Sequence, residues 1–361
     1  MKMTPRENVL SLFRRQGYEY APSVMYLCPS QKLVFQQKTG LSFEKHFEDY
    51  FNIPLRHIEN LKSAPTDRNT FAACYFPQGL LDGTYISEWG TAHEQGEGAG
   101  HFNHMRHPLS GDISMDDLES YPFPVFLPDT EGKLKTQTEA IQGAGLTACV
   151  GMNCTVWETA WYIRSMEDLM ADMMAEDEKA TFLLDFITGT ACQKARAYAA
   201  AGVDIIKLGD DVGMQSTTMM SADMYRTWLK PRLKKVIDAA REIKPDILIF
   251  YHSCGYVQPY IEDFIEIGID ILNPVQPESM PFAGIHEKYG DRLSFKGALG
   301  TQTTMPFGTP DDVRREVFEY LDIAGEHGGL LCAPSHVIEP EVPWENIIAY
   351  AGACENYKVR G

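Results

Sequence analysis

The chain has 361 residues, which suits one large α/β domain or two ordinary ones. Its 50 acidic and 32 basic residues leave a formal charge of −18, and no basic stripe interrupts that balance, which argues against a nucleic-acid partner. No run approaches the roughly 18 apolar residues of a membrane span, the N-terminus has no signal-peptide core, and the eight cysteines form no disulfide framework, so the expected location is the cytoplasm, with thiols free or metal-bound.

Thr4 is placed to cap a helix that begins at Pro5 and runs through Phe13. Ser23 to Leu27 reads as a first strand. Residues 82–108 read as a hairpin excursion rich in Gly, His and Glu. From 146 the pattern becomes regular. Strands are expected at 146–150, 203–208, 247–251, 269–272, 293–296 and 329–331. Helices are expected near 166–175, 178–201, 222–242, 257–267, 283–289, 311–326 and 343–356. Six strands each followed by helix predict parallel β/α units, and two less regular units upstream bring the count to eight. The expected fold is a single (β/α)8 TIM barrel over 1–361, with an N-terminal helical segment and a hairpin insertion. An open doubly wound sheet is the alternative, but no glycine-rich phosphate loop follows the first strand.

A barrel demands that reactive side chains follow the strands, at the C-terminal face. Polar residues do collect there: Asn153 and Glu158, then Asp210 to Gln215, His252 and Cys254, Asn273 and Gln276, Gln302, and Cys332 with His336. His252 and Cys254 end an apolar run and stand two apart, so in a strand they share a face. Cys332 ends another apolar run. An imidazole and two thiols arriving from two strand ends predict a catalytic zinc with an open position. The plain alternative for each is core filling. Glu158 is either a fourth ligand or a carboxylate at a helix N-terminus. Asp210 and Asp211 point opposite ways in an extended segment, so one is expected in the pocket, unless both cap the next helix. His336 is a proton donor or substrate contact, or else a simple loop histidine. Gln215 and Gln302 are candidate hydrogen-bond partners of a polar substrate. Tyr26, Trp89, Asn153, Asp211, Met214 and Gln276 complete the candidate lining, whose aromatic and polar mix suits a small aromatic substrate.

Taken together, these segments resemble the uroporphyrinogen decarboxylase superfamily. The resemblance rests on Trp157-Glu158 with Arg164-Ser165-Met166-Glu167, Gly209-Asp210-Asp211-Val212-Gly213 and Tyr251-His252-Ser253-Cys254-Gly255. It rests also on Phe295-Lys296-Gly297, and on Ser335-His336 ahead of Pro343-Trp344-Glu345-Asn346. It implies a (β/α)8 barrel. The decarboxylases of that superfamily use no metal and carry an arginine-rich N-terminal stretch and an essential aspartate. This chain has Tyr26-Leu27-Cys28-Pro29-Ser30-Gln31 there instead. The other arm comprises zinc- and corrinoid-dependent methyltransferases, whose His-x-Cys pair and later Cys map onto His252, Cys254 and Cys332. The resemblance therefore implies zinc, methyl transfer between a small substrate (a methyl ether, methylamine or thiol) and a separate corrinoid protein, and a homodimer. The competing expectations are a tetrapyrrole-acid decarboxylase and an inactive zinc- or ligand-binding barrel.

Overall fold

The strands of the second half are apolar on both faces, the mark of a parallel sheet covered on each side. The computed structural model, which describes residues 2–95 and 103–359, confirms that arrangement. Seven parallel strands form one sheet: β1 (Leu55–His57), β5 (Thr147–Met152), β6 (Ile205–Gly209), β7 (Leu248–His252), β8 (Ile271–Asn273), β9 (Ser294–Leu299) and β10 (Leu330–Pro334). Each lies beside its predecessor in the chain, as in a barrel. The 82–108 excursion supplies a separate antiparallel sheet of β2 (Tyr85–Ile86), β3 (Ala92–Gln95) and β4 (Asn103–Arg106). Part of that excursion, 96–102, lies outside the described residues.

The sheet curls into a (β/α)8-type barrel. Lys207 on β6 and Lys296 on β9 both place Nζ over the Tyr26 ring, at 5.3 and 5.0 Å from its centroid. In a flat sheet, strands three places apart would stand about 14 Å from each other. The expected strand at 23–27 is only an extended segment. Leu27 makes one parallel bridge to Ile338, with Ile338 N–H donating to the Tyr26 carbonyl at 2.8 Å. The Tyr350 hydroxyl accepts from Val24 N–H at 3.0 Å and lies 2.9 Å from the Cys332 carbonyl, which ties this segment to β10. The strand that joins the sheet before β5 is β1, which the sequence pattern did not single out.

Helices fall where the apolar periodicity placed them, with local adjustments. Thr4 and Glu7 form a reciprocal capping box at Pro5–Phe13. The expected 222–242 helix is a short turn, a π-helical turn at Tyr225–Leu229, then Lys230–Arg241. Pro231 has no N–H to give to the preceding turn, which explains the break there. Among the described residues, no helix is long and apolar enough to cross a membrane.

Candidate active site

The loops after β6 and β7 are held together by unusually close backbone contact. A Cβ on Gly213 would lie 2.5 Å from the Cys254 carbonyl oxygen, and one on Gly255 would lie 2.4 Å from that of Met214. Gly255 also has φ +79°, a left-handed conformation that glycine adopts without strain. The two loops interlock through side chains as well. Asp211 Oδ1 accepts Cys254 N–H at 2.7 Å, and Ser253 Oγ accepts Val212 N–H at 3.0 Å.

This brace brings Asp211, His252 and Cys254 together, with one ligand atom from each within 4.8 Å of the others. Cys254 Sγ lies 3.3 Å from His252 Nε2, and Asp211 Oδ1 lies 3.7 Å from it. The tautomer of His252 follows from its neighbour. Asn273 Nδ2 donates to the Lys296 carbonyl at 2.7 Å, so Asn273 Oδ1 faces His252 Nδ1, 2.6 Å away. Nδ1 therefore carries the proton, and Nε2 turns its lone pair toward the thiol and the carboxylate. A second-shell oxygen of this kind is the usual support for a metal-binding imidazole. One nitrogen, one sulfur and one oxygen donor fit zinc.

Acidic groups crowd the same rim. Burial, with Asp211 and Asp210 nearby, pushes the Glu158 carboxyl up to about 8. Tyr162 Oη donates to Glu158 Oε1 at 3.1 Å. Burial, reinforced by Asp211 and Glu158, raises the Cys254 thiol well above its ordinary value. Without a cation, Glu158 and Cys254 therefore keep their protons. A bound divalent metal reverses that preference and favours the thiolate.

The structure corrects two expectations. Cys332 is buried and stands on the outer face of β10, where the groups acting on its thiol are Cys354 and Glu316. Its register partner is Gly297, whereas the neighbouring Leu331 pairs with the inward-facing Lys296. Cys332 is not part of the His252–Cys254 cluster. Asp210 turns toward the N-terminus of the Trp157–Arg164 helix. Its carboxylate accepts Val156 N–H at 3.1 Å and Glu158 N–H at 2.9 Å. Burial raises it to about 7, against the pull of those amides. It is a cap, and Asp211 is the aspartate that enters the pocket.

The remaining candidates divide. Gln276 is buried, and its Oε1 accepts Gly255 N–H, so it supports the turn beside Cys254 and does not line the pocket. Gln302 donates to Gln215 at 3.4 Å across the exposed rim, next to exposed Met214. Trp89 and Asn153 line a side cavity of about 270 Å³ with Cys154, Tyr162, His93 and Lys194. Tyr162 joins that cavity to Glu158. Tyr26 faces the barrel interior, where its hydroxyl accepts from Lys207 Nζ at 2.7 Å. His336 follows β10 with its ring nitrogen 3.9 Å from Glu339. Lys207, Lys296, His57 and Tyr162 escaped the sequence reading. The two lysines had a legible signal: a charged residue inside a fully buried strand is exceptional.

Comparison with known proteins identifies the family. A family model described as Uroporphyrinogen decarboxylase (URO-D) matches residues 111–357. A methylcobamide:CoM methyltransferase, MtaA, of Methanosarcina barkeri is 30% identical over 174 residues, 48% of each chain. A methylated-thiol–coenzyme M methyltransferase of Methanosarcina mazei is 27% identical over 215 residues, 58% of this chain and 54% of that one. A uroporphyrinogen decarboxylase of Pelodictyon phaeoclathratiforme is 26% identical over 180 residues, 48% of each. The chain thus aligns with about half the length of the curated relatives it matches. A solved methyltransferase from Methanosarcina mazei shares the fold across 98% of both chains, with a TM-score of 0.67 at 18% identity. The family match spans well over half of the sequence, and the chain belongs to the uroporphyrinogen decarboxylase (URO-D) family.

Proposed function

We propose that this protein is a zinc-dependent methyltransferase that moves a methyl group between a small substrate and a separate corrinoid protein. The observation that carries the reading is the His252–Cys254–Asp211 cluster, with His252 Nε2 turned into it by Asn273. The names of the two Methanosarcina relatives support methyl transfer, and the Tyr26-to-Gln31 stretch lacks the arginines expected of a decarboxylase.

His252 and Cys254 would hold the metal, with Asp211 as third ligand. Zinc supplies a Lewis acid that stabilises a thiolate or polarises an ether oxygen. The chain's own groups do the rest. Asn273 fixes the imidazole. Glu158, poised near neutral pH beside Cys254, is placed to hold or release a proton at its carboxyl. His336, after β10, is a second proton carrier in this reading. Trp89 and Asn153 would hold the substrate from the side cavity, and the exposed rim of Met214, Gln215 and Gln302 would meet the corrinoid protein.

The test has two steps. Protein purified without chelator should hold stoichiometric zinc. It should then change the corrinoid spectrum with at least one substrate, demethylating methylcobalamin with a thiol or methylating cob(I)alamin with a methyl ether or methylamine. Metal-free protein would sink the zinc centre. Zinc without any spectral change across the panel would sink the methyl transfer.

A further inference from the structure

The side cavity of about 270 Å³ is walled by three separate parts of the chain. Ile187, Thr190, Ala191 and Lys194 come from the Glu178–Ala200 helix, at a spacing that sets all four on one face. The tight connection between β2 and β3 supplies Glu88 and Trp89. Two contacts pin that connection in place. Tyr121 Oη donates to the Trp89 carbonyl at 2.6 Å, and Thr91 Oγ1 donates to the Tyr162 carbonyl at 2.9 Å. The third wall is the end of β5 and the helix after it, with Asn153 and Tyr162. The volume falls just below the usual range of drug-sized pockets, so the ligand it fits is small.

Two opposite charges line this space without meeting. Burial raises the Glu88 carboxyl and lowers the Lys194 ammonium, and in each case the other member of the pair opposes the shift. Among the described residues, no ion pair joins them. Lys194 Nζ stands instead over the Phe126 ring, 4.3 Å from its centroid. Charges held apart across a cavity are partly stripped of water without neutralising each other. A ligand that carries both signs removes that cost.

The rings decide which kind of cation such a ligand carries. Tyr85 and His93 have centroids 6.0 Å apart with planes at 34°, and His93 and Tyr162 stand 6.5 Å apart at 87°. Rings this close leave no slot between them for a flat ligand. Their right angle makes a corner of aromatic surface, the arrangement that surrounds an onium cation. Burial, with His107 nearby, lowers His93, so its ring is neutral and does not repel a cation. A methylated ammonium also has no N–H to satisfy, and needs only ring surface and one carboxylate.

We propose that the side cavity binds a small methylated-ammonium zwitterion of the betaine type, with its onium group among Tyr85, Trp89, His93 and Tyr162 beside Glu88, and its carboxylate on Lys194. The site rests on the methyl-transfer reading only where this ligand is taken as the methyl donor.

Calorimetric titration into the full chain tests the site without any turnover. The probes are glycine betaine, 3,3-dimethylbutanoate, choline and glycine. Dimethylbutanoate keeps the shape and the carboxylate but loses the positive centre. Choline keeps the onium group and loses the carboxylate, and glycine keeps both charges and loses the methyl groups. Betaine should bind at least about tenfold tighter than each of the other three. Lys194→Met should reduce betaine affinity to that of choline, and Lys194→Arg should preserve it. Glu88→Gln should narrow the preference for betaine over dimethylbutanoate. Absence of betaine binding would overturn the site, as would equal binding of any other probe or an unchanged betaine affinity in folded Lys194→Met. If Lys194→Met does not fold, the comparison of the four probes on the wild-type protein decides. Betaine binding without methylation of cob(I)alamin would leave the site standing and defeat betaine as the methyl donor. Methyl transfer from another substrate, with no betaine bound, would defeat the site and leave the proposed function standing.

Discussion

The two cysteines singled out by sequence should behave oppositely when removed. Cys254 faces Asp211 and His252, whereas Cys332 faces the helices outside the barrel. Cys254→Ala deletes the only sulfur of the cluster. Loss of an outer-shell partner alone costs about 10–100-fold in metal affinity, so loss of a ligand should cost at least about 100-fold. Cys332→Ala deletes one buried heavy atom, 1% exposed in the wild type. The comparable removal of a single core methyl costs about 1 kcal/mol. For a chain of 361 residues that lowers Tm by about 1–2 °C. The assay is zinc per chain by elemental analysis after dialysis against limiting zinc, with thermal unfolding in parallel. Cys332→Ala should keep its zinc and lose slight stability, and Cys254→Ala should lose zinc. If folded Cys332→Ala loses zinc as completely as Cys254→Ala, the placement of Cys332 is wrong and so is the donor set.

Three further outcomes follow from the same contacts. Asn273→Ala should weaken zinc binding by about 10–100-fold, because it frees His252 to rotate and change tautomer; competition with a chromogenic chelator reads this directly. Asp210→Ala should destabilise the fold by about 2 kcal/mol in urea unfolding, since it strips the amides that open the Trp157–Arg164 helix. A wild-type urea midpoint in that variant would restore Asp210 as a candidate proton carrier. Glu158 has a folded-state value of about 8, above its value in the unfolded chain. The unfolded state therefore releases its proton first, and stability of the metal-free protein should fall between about pH 5 and pH 8, by on the order of 1 kcal/mol per unit. Asp210, raised to about 7, adds a slope of the same sign below pH 7, so Glu158→Gln should reduce the slope most clearly between about pH 7 and pH 8, and an unchanged slope there would contradict the assignment.

The limits of the sequence reading lie in side-chain direction. Strand positions were legible because apolar runs of β-formers alternate with helical periodicity, and each expected strand from 146 onward appears within two or three residues. Which face a residue takes was not legible where both faces are buried. Leu330-Leu331-Cys332 is apolar throughout, so no alternation tells the inside of the barrel from the outside. His252 and Cys254 share a face by spacing alone, which is why the structure brings these two side chains together. Asp210 and Asp211 were correctly expected to diverge. The choice between them depends on where the Val156 and Glu158 amides sit, and those come from a different β/α unit.

The same reasoning explains why the site is built from glycine as much as from ligands. Gly213 and Gly255 are 42 residues apart, yet each occupies the space that a side chain on the opposite loop would need. Only that approach lets the Asp211 carboxylate reach the Cys254 amide, and so only that approach sets a carboxylate beside the thiol. The barrel interior is thereby polarised. Its rim carries the Glu158 carboxyl and the Cys254 thiol, both raised by burial and by the acidic groups around them, and the layer beneath carries the Lys207 and Lys296 ammonium groups over the Tyr26 ring. That polarity is written in residues as ordinary to the eye as Lys207 within Ile205-Ile206-Lys207-Leu208.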